Sequence, residues 1–156
     1  VDSVHTGRWI SQFDGEAVDF MLFPSTPHRR VHSLIKQRMT LEVETRVRIS
    51  QWMNWAALPL GIADLVCANF FRAKLLSREI KKFKPNVIHI METQHAGYLT
   101  DRALKTVKFK PIVILSIWGS DLFWFQRFPK HHKKIGSVMN KVDLLSVGKR
   151  SMVVFQ

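Results

Sequence analysis

At 156 residues, 46% apolar and 23% charged, the chain has the length of one domain and enough apolar side chain for a real core, which excludes an intrinsically disordered protein. Its 24 Lys and Arg against 12 Asp and Glu give a formal net charge of +12, consistent with a polyanionic partner such as nucleic acid, an anionic membrane surface or phosphorylated ligands. The single Cys67 excludes an internal disulfide and, between Val66 and Ala68, reads as a buried structural thiol that suits a reducing compartment.

The N-terminal VDSVHTGRWI shows no basic stretch followed by an apolar core, so no secretory signal pattern is visible. Trp9, Ile10 and Phe13 mark a first helix with Thr6 as its N-cap. Because this helix precedes any complete strand, a first strand is expected upstream of Val1. Val18, Phe20, Met21, Leu22 and Phe23 form a short apolar run ended by Pro24, the pattern of a buried strand. Residues 26–45 are polar and basic with weak periodicity, and are expected to form a long connection or an irregular helix. Between Arg48 and Asp64 lies the uncharged stretch ISQWMNWAALPLGIA, 15 residues against the roughly 20 apolar ones needed to cross a bilayer. Two readings of it stay open, a buried helix end and a segment resting in the membrane interface.

Beyond it, Leu76, Ile80 and Phe83 recur at helical spacing in a stretch from Leu65 to Phe83, with Arg72, Lys74, Arg78, Lys81 and Lys82 on the other faces. Pro85 stops this helix. Val87 to Met91 is a second strand, and Ala96, Leu99, Ala103 and Val107 space out the helix that follows. Ile112 to Ile117, IVILSI, is continuously apolar, as for a parallel strand covered on both faces. A helix from Lys130 to Val142 and a strand from Leu144 to Val147 complete the order. Strands alternating with helices predict βαβ crossovers, a parallel sheet and a Rossmann-like, three-layer α/β domain over residues 1–156.

The charge is uneven. Residues 1–78 carry 10 basic and 7 acidic side chains, whereas residues 79–156 carry 14 and 5. A solvated basic face is the plain reading of this surplus.

In an open parallel sheet, ligands bind at the carboxyl ends of the strands. After VIHIM come Glu92, Thr93, Gln94, His95, Ala96, Gly97 and Tyr98, leading into a helix N-terminus suited to a hydroxyl-rich or anionic ligand. After IVILSI come Trp118, Gly119, Ser120 and Asp121, beside Phe123, Trp124 and Phe125. Near the N-terminus come Ser3, His5, Thr6, Gly7 and Arg8. His89 inside its apolar strand reads as a satisfied core histidine, and His131 and His132 as surface residues. Asp121 fits the N-cap of a short helix as well as a site. Trp124 and Phe125 fit either the core or a surface on which sugar rings stack. No metal site is expected from the His and Cys spacing. The chain has no P-loop, no dinucleotide fingerprint and no nucleophile elbow.

SVHTGRWI at Ser3 to Ile10, KPNVIHIMETQHAGYL at Lys84 to Leu99, PIVILSIWGSDLFWF at Pro111 to Phe125 and KVDLLSVGKRSM at Lys141 to Met152 together resemble the N-terminal domain of GT-B fold glycosyltransferases, in particular retaining family 4. The resemblance implies the acceptor-side half of a two-domain enzyme that moves a sugar from a nucleotide-sugar substrate to an acceptor, with no metal and no cofactor. It implies His95 and Asp121 as catalytic residues, and His5, Thr6, Arg8, Glu92, Gln94, Gly119 and Ser120 as substrate-binding residues. Many members have His where this chain has Trp118, so that contact to the sugar does not carry over. No Glu-x7-Glu pair occurs, and the donor-binding C-terminal domain is not recognisable in the chain. The expected setting is cytoplasmic and peripheral to the membrane, with an anionic membrane surface as a partner for the basic helices and a lipid-linked or membrane-borne acceptor. Other readings are a basic module that binds nucleic acid or another anion and an inactive fragment. Nucleic acid is disfavoured, because the aromatics cluster after a strand end and do not alternate with Lys and Arg along a groove.

Overall fold

The protein, seen as a computed structural model, is described for residues 4–25, 31–40, 46–50, 62, 69–117 and 120–147, without the side chains of Val4, Ser120 and Asp121. Cys67, the stretch 51–61, the start of the helix expected from Leu65, Trp118 with Gly119, and residues 148–152 lie outside the described residues. Two compact units divide the chain, Val1–Ala68 and Asn69–Gln156.

The first unit contains α1 (Val4–Ile10), a 3₁₀ turn (Ser11–Phe13), β1 (Asp19–Leu22), α2 (Ser33–Thr40) and β2 (Arg46–Ile49). β1 and β2 are parallel, with Phe20 opposite Val47 and Leu22 opposite Ile49. Ile10, Ile35 and Val47 are its buried centre, with Trp9, Phe20, Leu22, Val31 and Ile49 packed around them. Trp9, Phe13 and Phe20 meet edge to face, with centroids 5.0 to 5.7 Å apart. Gly7 lets α1 approach α2, because a Cβ there would stand 3.0 Å from Leu34 Cβ. Arg38 on α2 grips Asp14 after the 3₁₀ turn through both guanidinium nitrogens, with Nη2 to Oδ2 at 2.7 Å. That contact holds the Asp14 carboxyl below its ordinary range. Asp14 is more than half exposed, so the pair adds little to stability.

Two features differ from the expectation here. α2 occupies eight residues of the stretch read as a connection or irregular helix, and β2 follows it as a strand that was not anticipated. Thr6 is the third residue of α1 and not its N-cap.

The second unit runs α3 (Phe70–Phe83), β3 (Val87–Ile90), a π-helical turn (Thr93–Gly97), α4 (Tyr98–Leu104), β4 (Ile112–Ile117), α5 (Ser120–Phe123), a 3₁₀ turn (Phe125–Arg127), α6 (Pro129–Met139) and β5 (Leu144–Val147). Its strands form a parallel sheet in the order β3-β4-β5. Parallel pairing in both sheets, with helices between the strands, gives the expected α/β, Rossmann-like class.

α3 ends with Lys84 in the left-handed region at φ 51°, its N–H bonded to Ile80 O at 2.8 Å, and Pro85 beyond it blocks continuation. Ser77 and Thr106 hydroxyls, 2.6 Å apart, tie α3 to the residues after α4. α6 starts with Pro129 at its first turn, where a missing N–H costs nothing. Asp143 fixes the start of β5. Its N–H donates to Val113 O and its carboxylate accepts from Val113 N, both at 2.8 Å.

Ile90, Val113, Leu115, Ile117, Leu122, Ile135 and Val138 form the core between one face of this sheet and the helices. The opposite face carries Val87 and His89, Ile112, Ile114 and Ser116, and Leu144, by the strand register. Val87, Ile112 and Leu144 are 45%, 49% and 58% exposed. On that face of β4, Ile112 is exposed whereas Ile114 and Ser116 are half-buried. His89 lies on the less covered face, half-buried, with Nε2 2.7 Å from Ser116 Oγ. Burial lowers its pKa and favours the neutral ring.

Candidate functional site

The strand β3 ends in a turn wider than an α-helical one. Glu92 is extended at φ −172°, and its side-chain Oε1 accepts the backbone N–H of His95 at 2.8 Å, an N-cap for the π turn. Gly97 N–H then reaches back five residues to Glu92 O at 3.0 Å, the bond that defines the π geometry. A Cβ on Gly97 would meet Glu92 O and Val138 Cγ1 at 3.4 Å, ordinary van der Waals distance, so the wide turn packs closely against α6. Such π turns inside helices are frequent at functional sites.

This turn presents two of the expected site side chains together. His95 is exposed and its Nε2 stands 3.9 Å from Glu92 Oε1. Gln94 follows Thr93, which is fully buried. The result is an imidazole, an amide and a carboxylate within four consecutive residues at the carboxyl end of a parallel strand. Those groups can donate to and accept from sugar hydroxyls, and the imidazole can carry a proton.

α5 begins just past the end of the neighbouring strand β4 and lies against the π turn. Ser120 and Asp121 are its first two residues, so their backbone and the Glu92–His95 turn meet at one edge of the sheet. Asp121 lies inside the helix and not ahead of it as an N-cap would. The side chains of Ser120 and Asp121, and all of Trp118 and Gly119, fall outside the described residues.

His5, Thr6 and Arg8 belong to the first unit. They lie along α1, a helix that starts at Val4, and not in a loop after a strand. The helix forms because Gly7 and Ile10, three apart, share its buried face. His5 and Arg8 are exposed, and the Arg8 carbonyl accepts the Ser11 hydroxyl at 2.6 Å.

Two contacts around the turn have no local signal in the sequence. Tyr98 Oη is 2.9 Å from His131 Nδ1, joining the start of α4 to α6 across 33 residues. His131 is therefore half-buried and bonded, and not a plain surface residue like His132. Lys134 Nζ lies 5.2 Å from the Tyr98 ring centroid, and burial raises the Tyr98 pKa. Nearer α5, Trp124 and Phe125 divide the two roles open to them, since Phe125 packs on the core and Trp124 is 54% exposed. Among the described residues, no three His, Cys, Asp or Glu side chains converge as a metal ion would need. Among them, too, no helix is long and apolar enough to cross a membrane.

Compared with known families, residues 1–147 match the family described as glycosyl transferase 4-like. Searches of curated proteins and of solved structures returned no match.

Proposed function

The chain belongs to the glycosyl transferase 4-like family, and on that basis we propose that it forms the acceptor-side domain of an enzyme that transfers a sugar from a nucleotide-sugar donor to a hydroxyl acceptor. Its placement in a glycosyltransferase family over residues 1–147 is the observation that carries this reading. The polar π turn at the carboxyl end of β3 supports it, because ligands of open parallel sheets gather at that edge.

In this reaction the bond from the anomeric carbon to the diphosphate oxygen breaks and a bond to the acceptor oxygen forms, while the acceptor hydroxyl loses its proton. The domain has two tasks, to position the acceptor and to receive or relay that proton. His95 is the group assigned to the proton, with Asp121 as its catalytic partner. Glu92, Gln94, Gly119 and Ser120 orient acceptor hydroxyls. His5, Thr6 and Arg8 serve the donor side, where the Arg8 guanidinium stabilises the departing diphosphate. The donor is a substrate held mainly by a second domain, and no metal or cofactor enters. A membrane-borne acceptor and a cytoplasmic, peripheral setting fit the basic second half of the chain.

The experiment is nucleoside diphosphate release from a panel of nucleotide sugars, on the chain and on any longer protein that carries it. His95→Ala and Asp121→Ala lower turnover about a hundredfold or more if they act as acid–base residues, with the circular dichroism spectrum unchanged. Glu92→Gln keeps an acceptor for His95 N–H and keeps the fold, whereas Glu92→Ala loses the cap and about 1 kcal/mol of stability. Wild-type turnover in the His95 and Asp121 variants removes those residues from the site. Absence of release from every donor in the longer protein removes the transferase reading.

A further inference from the structure

Phe123, Trp124 and Phe128 are 63%, 54% and 46% exposed, although they lie within six consecutive residues of a folded unit. They are not displaced core residues, because Leu122 and Phe125 in the same stretch fill the inward positions. Arg127 lies over two of the rings, 5.1 Å from the Phe123 centroid and 5.5 Å from that of Trp124. Trp124 stands edge-on to Phe128 at 6.3 Å. α6 follows at once with Lys130 and Lys133 exposed, and no acidic residue occurs between Leu122 and Val142. The corner is thus a cluster of water-facing rings with Arg127, Lys130 and Lys133 beside it.

Three ligand classes could meet such a corner. A stacked sugar or a nucleic-acid base needs an open ring face. Arg127 takes a face of both Phe123 and Trp124, which disfavours both. A bilayer interface needs no open face. It accepts Trp and Phe rings at headgroup depth while Lys and Arg meet lipid phosphates. We propose that the α5–α6 corner, through Phe123, Trp124, Phe128, Arg127, Lys130 and Lys133, docks the protein on an anionic lipid surface. The inference specifies the surface behind the membrane-associated setting proposed above. It can fail while the transfer reading stands, because vesicle binding is measured without donor or acceptor.

The test is co-sedimentation of the chain with vesicles of phosphatidylcholine alone and of phosphatidylcholine mixed with phosphatidylglycerol. Binding to the mixed vesicles, weakened by salt and negligible on phosphatidylcholine alone, is expected. The double variants Phe123→Ser with Trp124→Ser, and Lys130→Glu with Lys133→Glu, should each weaken partition about tenfold or more with an unchanged melting temperature. Brominated lipid should quench tryptophan emission in the wild type and lose most of that quenching in Trp124→Phe, which still binds. No preference for anionic vesicles overturns the proposal, as do wild-type partition in both double variants and undiminished quenching in Trp124→Phe. A dimer that dissociates in the Phe123→Ser with Trp124→Ser variant, without vesicle binding, would assign the corner to a second copy of the chain and also overturn it.

Discussion

His89 shows how one side chain couples the sheet to pH. Half-buried and bonded to Ser116 across β3 and β4, it is held neutral by desolvation. The unfolded chain therefore takes up this proton at a higher pH than the folded one. Stability is complete above the ordinary imidazole range near 6.5 and falls as pH drops through that value toward the folded pKa. His89→Gln keeps a partner for Ser116 without the titration, so urea midpoints compared at about pH 7.5 and about pH 5.5 should fall less in the variant. An equal fall in both proteins would assign the acid sensitivity to other groups. Within the candidate site, the residue types were readable because Glu92, Gln94 and His95 have no apolar alternative use after a buried strand. The backbone bond that widens their turn was not readable, since a five-residue reach from Gly97 to Glu92 has no composition of its own.

Elements differ in legibility for reasons of contrast. β3, β4 and β5 are apolar runs between polar stretches, and the sequence pattern marks them within a residue or so. β2 is only RVRI, an alternation in which Arg46 and Arg48 point outward while Val47 is buried, so its charge hides a four-residue strand. α2 contributes one fully buried side chain, Ile35, and its remaining polarity resembles a connection. The end of α3 offers a test at this scale. Lys84 holds a left-handed conformation that costs an L-residue about 1–2 kcal/mol, and glycine adopts it freely at some entropic cost in the unfolded chain. Lys84→Gly should raise stability by up to about 1 kcal/mol in chemical denaturation. A loss of stability would mean that the lysine side chain has packing worth more than the strain.

For the whole molecule, a formal charge of +12 on 156 residues sets a background repulsion that every contact must overcome. Added salt screens it, so the melting temperature should rise between low and moderate ionic strength by a few degrees, about 2–4 °C per kcal/mol for a chain of this size. A fall would mean that ion pairs such as Arg38 with Asp14, and Asp101 with Lys141 at 3.6 Å, outweigh the repulsion. The surplus is concentrated in residues 79–156, which carry 14 basic side chains against 5 acidic ones.

The π turn after β3 also makes the loop adjustable in single-residue steps. A π turn holds one residue more than an α turn, so removing one from residues 93–97 would regularise it into the first turn of α4. Side chains before the deletion would then swing by about 100° relative to those after it, while α4 and β4 kept their register. Gln94 and His95 can therefore be re-aimed as a set without redesigning the sheet beneath them.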